Sequence, residues 1–240
     1  MKYTVKLSFL NLIIVSGLLF ASSCYFSSNF GPIVEEERNV TDFYKLKVSS
    51  GIDVKLSQGN RHRVIIKANE DIIDDVVTEV TNGTLKLNIN RRWFGFGGNV
   101  DAEITFVELN SIDVSAGSDV ESTEPLEFDE IEIEASSGSD LKLELEAYSV
   151  DLRISSGSDA YLKGSSRNFT AKASSGSDIS AFDFEVEDAT LECSSGSDVK
   201  TFVTGTLNVK ASSGSDVTYR GNPQLLDINT SSGSDLNKRD

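Results

Sequence analysis

Apolar and polar residues alternate strictly through the second half of this chain. Around Gly138 the apolar positions recur every second residue, from Ile131 and Ile133 before it to Leu141 and Leu143 after it. A period of two is typical of a β-strand that buries one of its faces. The same phase returns in each following segment, and no window there shows a sustained helical period. The pattern predicts an all-β domain.

A five-residue motif, Ser-Ser-Gly-Ser-Asp, interrupts the alternation at regular intervals. A near copy at residues 115–119 precedes the intact copies, and a more distant one lies at residues 49–53. From Gly117 onward, the glycines of successive copies are 18 to 21 residues apart. Such a period is typical of solenoids, whose coils cannot bury their apolar face alone. Coils of about 19 residues built from strands and turns predict a parallel β-helix, with neighbouring coils about 4.8 Å apart and like residues aligned in rows. The six intact copies contain Gly138, Gly157, Gly176, Gly196, Gly214 and Gly233.

The alternation also predicts which residues of each motif point inward. If the phase continues through the copy around Gly138, Ser137 and Ser139 face the interior, while Ser136 and Asp140 face solvent. Small inward serines suit a tight corner, where larger side chains would collide. The glycine permits a sharp bend or a positive φ. The aspartate is expected to accept a hydrogen bond from a backbone N–H of its own turn.

Residues 1–23 have the features of a targeting segment. Lys2 and Lys6 give a positive start, an apolar run follows, and small residues lead to Cys24. This order resembles the lipobox of bacterial lipoproteins, whose cysteine is acylated, although Ala21 stands where leucine is usual. Ordinary secretion, with Cys24 left unmodified, is the alternative interpretation.

The chain is therefore expected to consist of a signal peptide over 1–23, a lipidated tether over 24–38 and one folded domain over 39–240.

The Asn82-Gly83 pair lies between two alternating segments, which is a strong signal for a β-hairpin. The charged residues 237–240 are expected to shield the open edge of the last coil.

The formal net charge of −16 excludes some partners and favours others. Nucleic-acid binding through phosphates needs clustered cations, so it is strongly disfavoured. Electrostatic attraction to anionic lipids is disfavoured for the same reason, so a covalent lipid rather than a basic patch would hold the protein at a membrane. The charge suits an extracytoplasmic surface and favours cations as partners.

No catalytic constellation is recognisable in the sequence. His62, the only histidine, lies between two arginines after a turn signal, where it is expected to be exposed on a loop. The sequence contains no Gly-x-Ser-x-Gly elbow, no phosphate-binding glycine loop and no zinc-ligand cluster. Cys193 falls on the inward parity, which predicts a small buried hydrophobic residue without a redox role.

The aspartates of the repeats form the clearest candidate for a binding site. Stacked in register, neighbouring carboxylates would repel by roughly 0.9 kcal/mol in bulk water, and divalent cations such as calcium could relieve that repulsion. The motif differs from the calcium-binding nonapeptide of other β-helices, so the favoured interpretation is that each aspartate caps its own turn. The candidate row is Asp119, Asp140, Asp159, Asp178, Asp198, Asp216 and Asp235.

Two further features could contact a ligand. Arg91, Arg92 and Trp93 interrupt the alternation in a glycine-rich loop, which would stack on a sugar or a partner if exposed, or cap an apolar edge if not. The outward serines form a second predicted row, a regular hydroxyl array that could meet a glycan. These serines are Ser136, Ser155, Ser174, Ser194, Ser212 and Ser231.

The chain resembles the auto-transporter adhesin, head GIN domain family of Gram-negative secreted proteins and lipoproteins. The resemblance rests on residues 43–54 (FYKLKVSSGIDV), residues 78–87 (TEVTNGTLKL) and the recurring Ser-Gly-Ser-Asp coils. It covers roughly residues 39–235. It implies a single-stranded right-handed parallel β-helix and an adhesin-like or cell-envelope role, and it supplies no catalytic residues.

We therefore expect a non-enzymatic cell-envelope lipoprotein that acts as an adhesin-like binding or structural module. An outer-membrane location, periplasmic or at the cell surface, is expected. The expected partners are the membrane, through the N-terminal lipid, and a glycan or another surface protein. A polysaccharide-active β-helix enzyme, a lyase or a hydrolase, is the alternative function.

Overall fold

The computed structural model describes residues 31–90 and 99–239, and almost all of these residues lie in strands or turns. Within these two ranges one 3₁₀ turn occurs, at Ile73–Asp75. The strands are β1 (Ile33–Arg38), β2 (Lys45–Val48), β3 (Asp53–Gln58), β4 (Arg63–Asn69), β5 (Val76–Thr81), β6 (Thr84–Ile89), β7 (Val100–Phe106), β8 (Ser111–Ser115), β9 (Asp119–Ser122), β10 (Leu126–Ser136), β11 (Asp140–Ser155), β12 (Asp159–Ser174), β13 (Asp178–Cys193), β14 (Asp198–Ala211), β15 (Asp216–Arg220), β16 (Gln224–Thr230) and β17 (Asp235–Lys238).

The strands wind into a β-solenoid of about seven turns with a repeat of about 19 residues, which confirms the predicted fold. Neighbouring coils pair in parallel, and the motifs are in register, with Asp140 opposite Asp159 and Asp159 opposite Asp178. The Ser-Ser-Gly-Ser-Asp copies form one corner of every regular coil. We call the strand segments that lead into this corner the incoming face and those that leave it the outgoing face.

The corner itself places only one serine inside. Ser137 and Gly138 have φ values of 62° and 71°, so two consecutive residues adopt the left-handed conformation. This geometry directs the side chain of Ser137 into solvent, whereas Ser139 is completely buried. The prediction that both serines face the interior is therefore wrong for Ser137. The phase of the alternation carries across the corner, but the two left-handed residues interrupt it locally.

Hydrogen bonds between coils fix the stacked corners. The N–H of Gly138 donates to the carbonyl oxygen of Ser156 in the next coil at 3.1 Å, and the corner glycines from Gly51 to Gly214 repeat this bond. Inside, the buried hydroxyl of Ser197 donates to the carbonyl oxygen of Ala173 at 2.9 Å. Most inward serines thus satisfy backbone groups that a corner would otherwise leave unpaired in the core, whereas Ser139 Oγ has no hydrogen-bond partner among the described residues.

The N-terminal end of the solenoid is closed by antiparallel strands. Residues 84–106 stack outside residues 45–58, because β6 and β7 pair with the outer edges of β2 and β3. β4 then pairs antiparallel with β7, β1 with β4, and β5 with β6. The predicted hairpin at Asn82-Gly83 is present, with both residues at positive φ. Ile33–Arg38, which the sequence assigns to the tether, forms β1 of this cap instead.

The C-terminal end is open. β16 pairs with β14 on one side, no described strand pairs with its other side, and all seven of its residues are exposed. The charged residues 237–240 were expected to shield this edge. Of these, residues 237 and 238 extend along β15 in β17, and the Arg239 N–H donates to the carbonyl oxygen of Tyr219. They therefore leave β16 uncovered. We call β16 and β17 the open end.

The core is one continuous apolar column inside the coils. Phe169 and Phe184 pack edge to face within it, with ring centroids 5.6 Å apart. Gly164 lies where two backbones approach closely, since a Cβ atom there would stand 2.1 Å from the carbonyl oxygen of Leu145. Cys193 is buried, as predicted, and burial raises the pKa of its thiol to about 12. The thiol is therefore protonated and unreactive at neutral pH.

Candidate functional site

The aspartates of the motif stack in one continuous row along the outgoing side of the corner. Strand pairing extends the predicted row by two members, because Asp53 pairs with Asp119 on one side and with Asp101 on the other. Asp53 belongs to the distant copy of the motif, so its position was visible in the sequence. Asp101 has no motif around it and gave no signal. The row, which we call the aspartate row, consists of Asp101, Asp53, Asp119, Asp140, Asp159, Asp178, Asp198, Asp216 and Asp235.

Four carboxylates of the row accept a hydrogen bond from the next coil rather than from their own turn. The N–H of Asp140 donates to Oδ1 of Asp119 at 3.0 Å, and the N–H of Asp178 donates to Oδ1 of Asp159 at 3.3 Å. The pairs Asp178–Asp198 and Asp216–Asp235 repeat this bond. The expectation that each aspartate caps its own turn is therefore wrong at these positions. These N–H groups belong to the next coil, and those of Asp178 and Asp198 also donate to the carbonyl oxygens of Ser158 and Ser177.

Burial and the closeness of like charges raise the pKa of two aspartates in the row. Burial and the neighbouring carboxylates of Asp119 and Asp101 raise the pKa of Asp53, and burial with the charges of Asp140 and Asp178 raises the pKa of Asp159. A carboxyl whose pKa is raised by folding weakens the fold at neutral pH, and stability recovers as the pH falls through that raised pKa toward the ordinary value. Among residues 31–90 and 99–239, no group of three or more His, Cys, Asp or Glu side chains is placed to hold a metal ion.

Replacing Asp159 with asparagine is expected to stabilise the solenoid. Asparagine keeps Oδ1 as an acceptor for the Asp178 N–H but removes a charge repelled from both sides by roughly 0.9 kcal/mol per neighbour in bulk water. Urea denaturation at pH 7 and low salt should show a gain of about 0.5–1 kcal/mol that shrinks in salt and disappears as the pH falls through the raised pKa of Asp159 toward the ordinary value. Asp159→Ala is the control, because it removes the charge and the acceptor together. An asparagine variant less stable than the parent at low salt would contradict the repulsion.

A long polar groove runs along the incoming face beside the corner. Its cavity volume is about 770 Å³. One side is the predicted serine row, half-buried in most coils. The floor is a row of side chains two positions before the serines, charged in every coil but the last, where Asn229 occupies this position. We call it the serine–charge groove. Its charged members are Asp113, Glu134, Arg153, Lys172, Glu192 and Lys210.

Charges of both signs balance in this groove, although the chain as a whole is strongly acidic. Arg153 Nη1 lies 3.0 Å from Glu134 Oε1, and Lys172 Nζ lies 2.8 Å from Glu192 Oε2. The hydrogen bond from Lys172 lowers the pKa of Glu192, so this carboxylate stays ionised well below neutral pH. Lys172 and Lys210 remain about half exposed or more. They can therefore donate to a ligand while they pair with Glu192.

A second concave region lies at the start of the incoming face, at the end away from the corner. It has a volume of about 800 Å³ and is lined by Tyr44, Phe128 and acidic residues, with no lysine or arginine among the described lining residues. We call it the acidic pocket. Its carboxylates belong to Glu108, Glu127, Asp129, Glu130 and Glu146. Nothing in the sequence pattern distinguished these residues, because they come from separate bends of successive coils.

The remaining predicted residues separate into two groups. Cys24 and the segment with Arg91, Arg92 and Trp93 lie outside the described residues. His62 was expected to be exposed, but its side chain is only 12% exposed and its ring lies 4.4 Å from that of Phe43, centroid to centroid. Packing against Phe43 covers the imidazole, which corrects that expectation. No described helix is long and apolar enough to cross a membrane.

Comparison with known proteins gives a family match and several similar folds. A family model described as "Putative auto-transporter adhesin, head GIN domain" matches residues 42–223. A putative adhesin from Bacteroides fragilis has 16% identity and a TM-score of 0.80, covering 87% of this chain and 97% of its own. A putative lipid binding protein from Parabacteroides distasonis has 16% identity and a TM-score of 0.71, covering 88% and 98%.

A putative adhesin from Parabacteroides merdae has 15% identity and a TM-score of 0.72, covering 88% and 97%. At such identities the three structures show a shared fold alone. No curated protein matches the chain.

Proposed function

The chain belongs to the auto-transporter adhesin, head GIN domain family, and on that premise we propose that it is a non-enzymatic, adhesin-like binding module of the bacterial cell envelope. The family supports an extracytoplasmic or surface location. The observation that carries the proposal is the serine–charge groove. It is the long concave surface in which the acidity of the chain is locally balanced.

The groove suits a linear glycan. Its rows repeat at the coil spacing of about 4.8 Å, so an extended polymer lying along the axis meets a serine hydroxyl in each coil and a charged or polar side chain beside it. Serine hydroxyls both donate and accept, while Lys172 and Lys210 donate only and Glu192 accepts only. Sugar hydroxyls can use all of these groups. The strand framework holds the rows rigidly, so the side chains lose little conformational freedom on binding.

A glycan array probed with the protein tests this assignment. The double variant Lys172→Ala/Lys210→Ala should weaken binding of the best glycan about tenfold or more, since loss of a hydrogen bond to a charged group costs about 1.5–3 kcal/mol. The matched control is Lys142→Ala/Lys200→Ala, which removes the same charge from the outgoing face. Equal losses in both double variants, or no bound glycan at all, would refute the groove as the binding site.

Lipid attachment at Cys24 is part of the proposal. The support is the targeting pattern of residues 1–23 followed at once by cysteine. A Cys24→Ala variant, or treatment with globomycin, should move the protein from the membrane fraction to the soluble fraction. Membrane association that survives both would remove the anchor from the proposal and leave the groove untouched.

A polysaccharide-active enzyme is the second candidate function, and the acidic pocket favours it. Glycoside hydrolysis needs two carboxylates flanking the scissile bond, and five carboxylates with two aromatic side chains line this pocket. If this function holds, a reducing-sugar assay on a glycan bound by the array should show release that Glu127→Gln/Glu146→Gln abolishes. Release that persists in this variant, or no release, would dismiss the candidate.

A further inference from the structure

The open end exposes the interior of the solenoid. Leu225 and Ile228 continue the inward rows of Leu207 and Val209, yet they are 44% and 37% exposed because no described coil covers them. Leu226 beside them is 52% exposed. Buried members of the same rows are almost inaccessible to solvent, so the exposed side chains show that the apolar core reaches the surface at this end. Contiguous exposed apolar residues of this kind mark an interaction site.

The two ends of the solenoid treat their outermost strands differently. At the N-terminal end, the edge strand β1 carries Glu35, Glu36, Glu37 and Arg38, and charges of this kind discourage edge-to-edge pairing. The sequence of β16 is Gln-Leu-Leu-Asp-Ile-Asn-Thr, without a lysine or an arginine. Its outer backbone groups are therefore free to pair with another strand.

The local charge permits a second copy to approach. Residues 216–239, which form the last coil, contain three basic and three acidic residues and are neutral overall, while the whole chain carries −16. Sides of two copies repel each other, but their open ends do not. The antiparallel cap presents a different and charged surface, so an open end finds its complement on another open end. Contact between two identical ends is isologous and closes after two copies.

We infer that two copies of this protein join through their open ends, with the β16 strands pairing antiparallel and Leu225, Leu226 and Ile228 packing across the two-fold axis. Asp227 lies at the middle of β16, and two directly opposed copies of it would repel. The pairing register is therefore offset from a symmetric Asp227–Asp227 pair.

The arrangement gives an adhesin a partner on the opposing surface. β1, which follows the proposed anchor segment, belongs to the N-terminal cap, at the end of the stack opposite β16. In an end-to-end dimer the two caps point away from each other. Two anchored copies so joined connect two membranes rather than lie side by side on one. This consequence rests on the proposed function, whereas the dimer itself does not.

The size of the end surface predicts a weak dimer. A coil of about 19 residues at about 3.3 Å per residue has a perimeter of roughly 60 Å and encloses only a few hundred Å². Such a contact lies at the low end of specific interfaces. We expect a dissociation constant of roughly 10–100 µM, since interfaces this small support only transient pairing. Arrays of anchored copies would bind more strongly through multivalency.

Sedimentation velocity of the full chain carrying Cys24→Ala tests the dimer between about 1 and 300 µM. Monomer should convert to dimer over this range, and small-angle scattering should show a maximum dimension roughly doubled with an unchanged cross-section. Leu225→Glu/Ile228→Glu should stay monomeric at every concentration. The matched control, Tyr148→Glu/Tyr161→Glu, changes two exposed side-surface residues by the same charge and should dimerise normally.

Three results overturn the inference: monomer at 300 µM, a dimer that persists in Leu225→Glu/Ile228→Glu, or a dimer whose cross-section doubles instead of its length. Circular dichroism of the double variant confirms that its fold is intact. A mixing assay with cells bearing the anchored protein separates this inference from the proposed function. A monomeric variant that still binds the array glycan but no longer aggregates cells supports both, and normal aggregation by that variant refutes the adhesive role of the open end.

Discussion

Replacing Phe169 with alanine is expected to destabilise the solenoid by about 3–5 kcal/mol. The phenyl ring is fully buried, packs edge to face on Phe184, and stacks between Val150 and Ala189 of the neighbouring coils. Backbone pairing on both sides fixes the coil spacing, so the surrounding residues cannot collapse into the cavity. Guanidinium denaturation followed by circular dichroism measures the change in the unfolding midpoint.

Tyr161→Ala is the control for Phe169, because it removes an aromatic ring from the same strand at a position that is 47% exposed. Its cost should remain below about 1 kcal/mol, in the usual range for surface substitutions. Hydrogen exchange should show the Phe169 variant opening first in the coils on either side of β12, since repeats are stabilised by their nearest neighbours. A loss of less than about 1 kcal/mol in the Phe169 variant would contradict the tight packing of this column.

Replacing Gly164 with alanine is expected to cost at least roughly 3 kcal/mol or to prevent folding. A Cβ atom there would stand 2.1 Å from the carbonyl oxygen of Leu145, and its φ of 106° is strained for any L-residue. The clash is with backbone that pairs in register, so no side-chain rotation relieves it. Soluble yield and the denaturation midpoint are the measurements.

Gly157→Ala separates the two contributions in the Gly164 variant. Gly157 also has a positive φ, 69°, but nothing lies within 4 Å of a Cβ atom built there. Its substitution should therefore cost only the left-handed strain of about 1–2 kcal/mol. Equal losses at the two glycines would show that strain alone, and not the approach of the Leu145 carbonyl, makes Gly164 necessary.

The repeated coils were the most predictable part of the fold. The alternation predicted which strand face is buried, and the spacing of the glycines predicted the number of residues per coil. The alignment of Asp140, Asp159 and Asp178 followed from these two predictions. The error at Ser137 arose because strand periodicity carries no information about two consecutive left-handed residues. Such a turn is visible only in backbone angles.

The two ends of the solenoid were less predictable because they do not repeat. The pairing of β1 with β4 depends on residues about 30 apart in an otherwise polar segment, and no periodicity marks it. Asp101 joined the aspartate row through strand pairing alone. Likewise, the charged floor of the serine–charge groove combines residues from six coils whose identities differ, so the chemistry emerges only from the stack.

The position of residues 45–58 between two later segments has a consequence for folding. β2 pairs on one edge with β6, about 39 residues downstream. On its other edge it pairs with β8, where Ser111 lies opposite Lys45, 66 residues away in sequence. Regular coils close over about 19 residues. The first coil must therefore wait until residue 122 is available before both its edges are covered, while later coils can add one at a time. The N-terminal half sets the pace of folding, and chaperones are expected to engage the unfolded chain there.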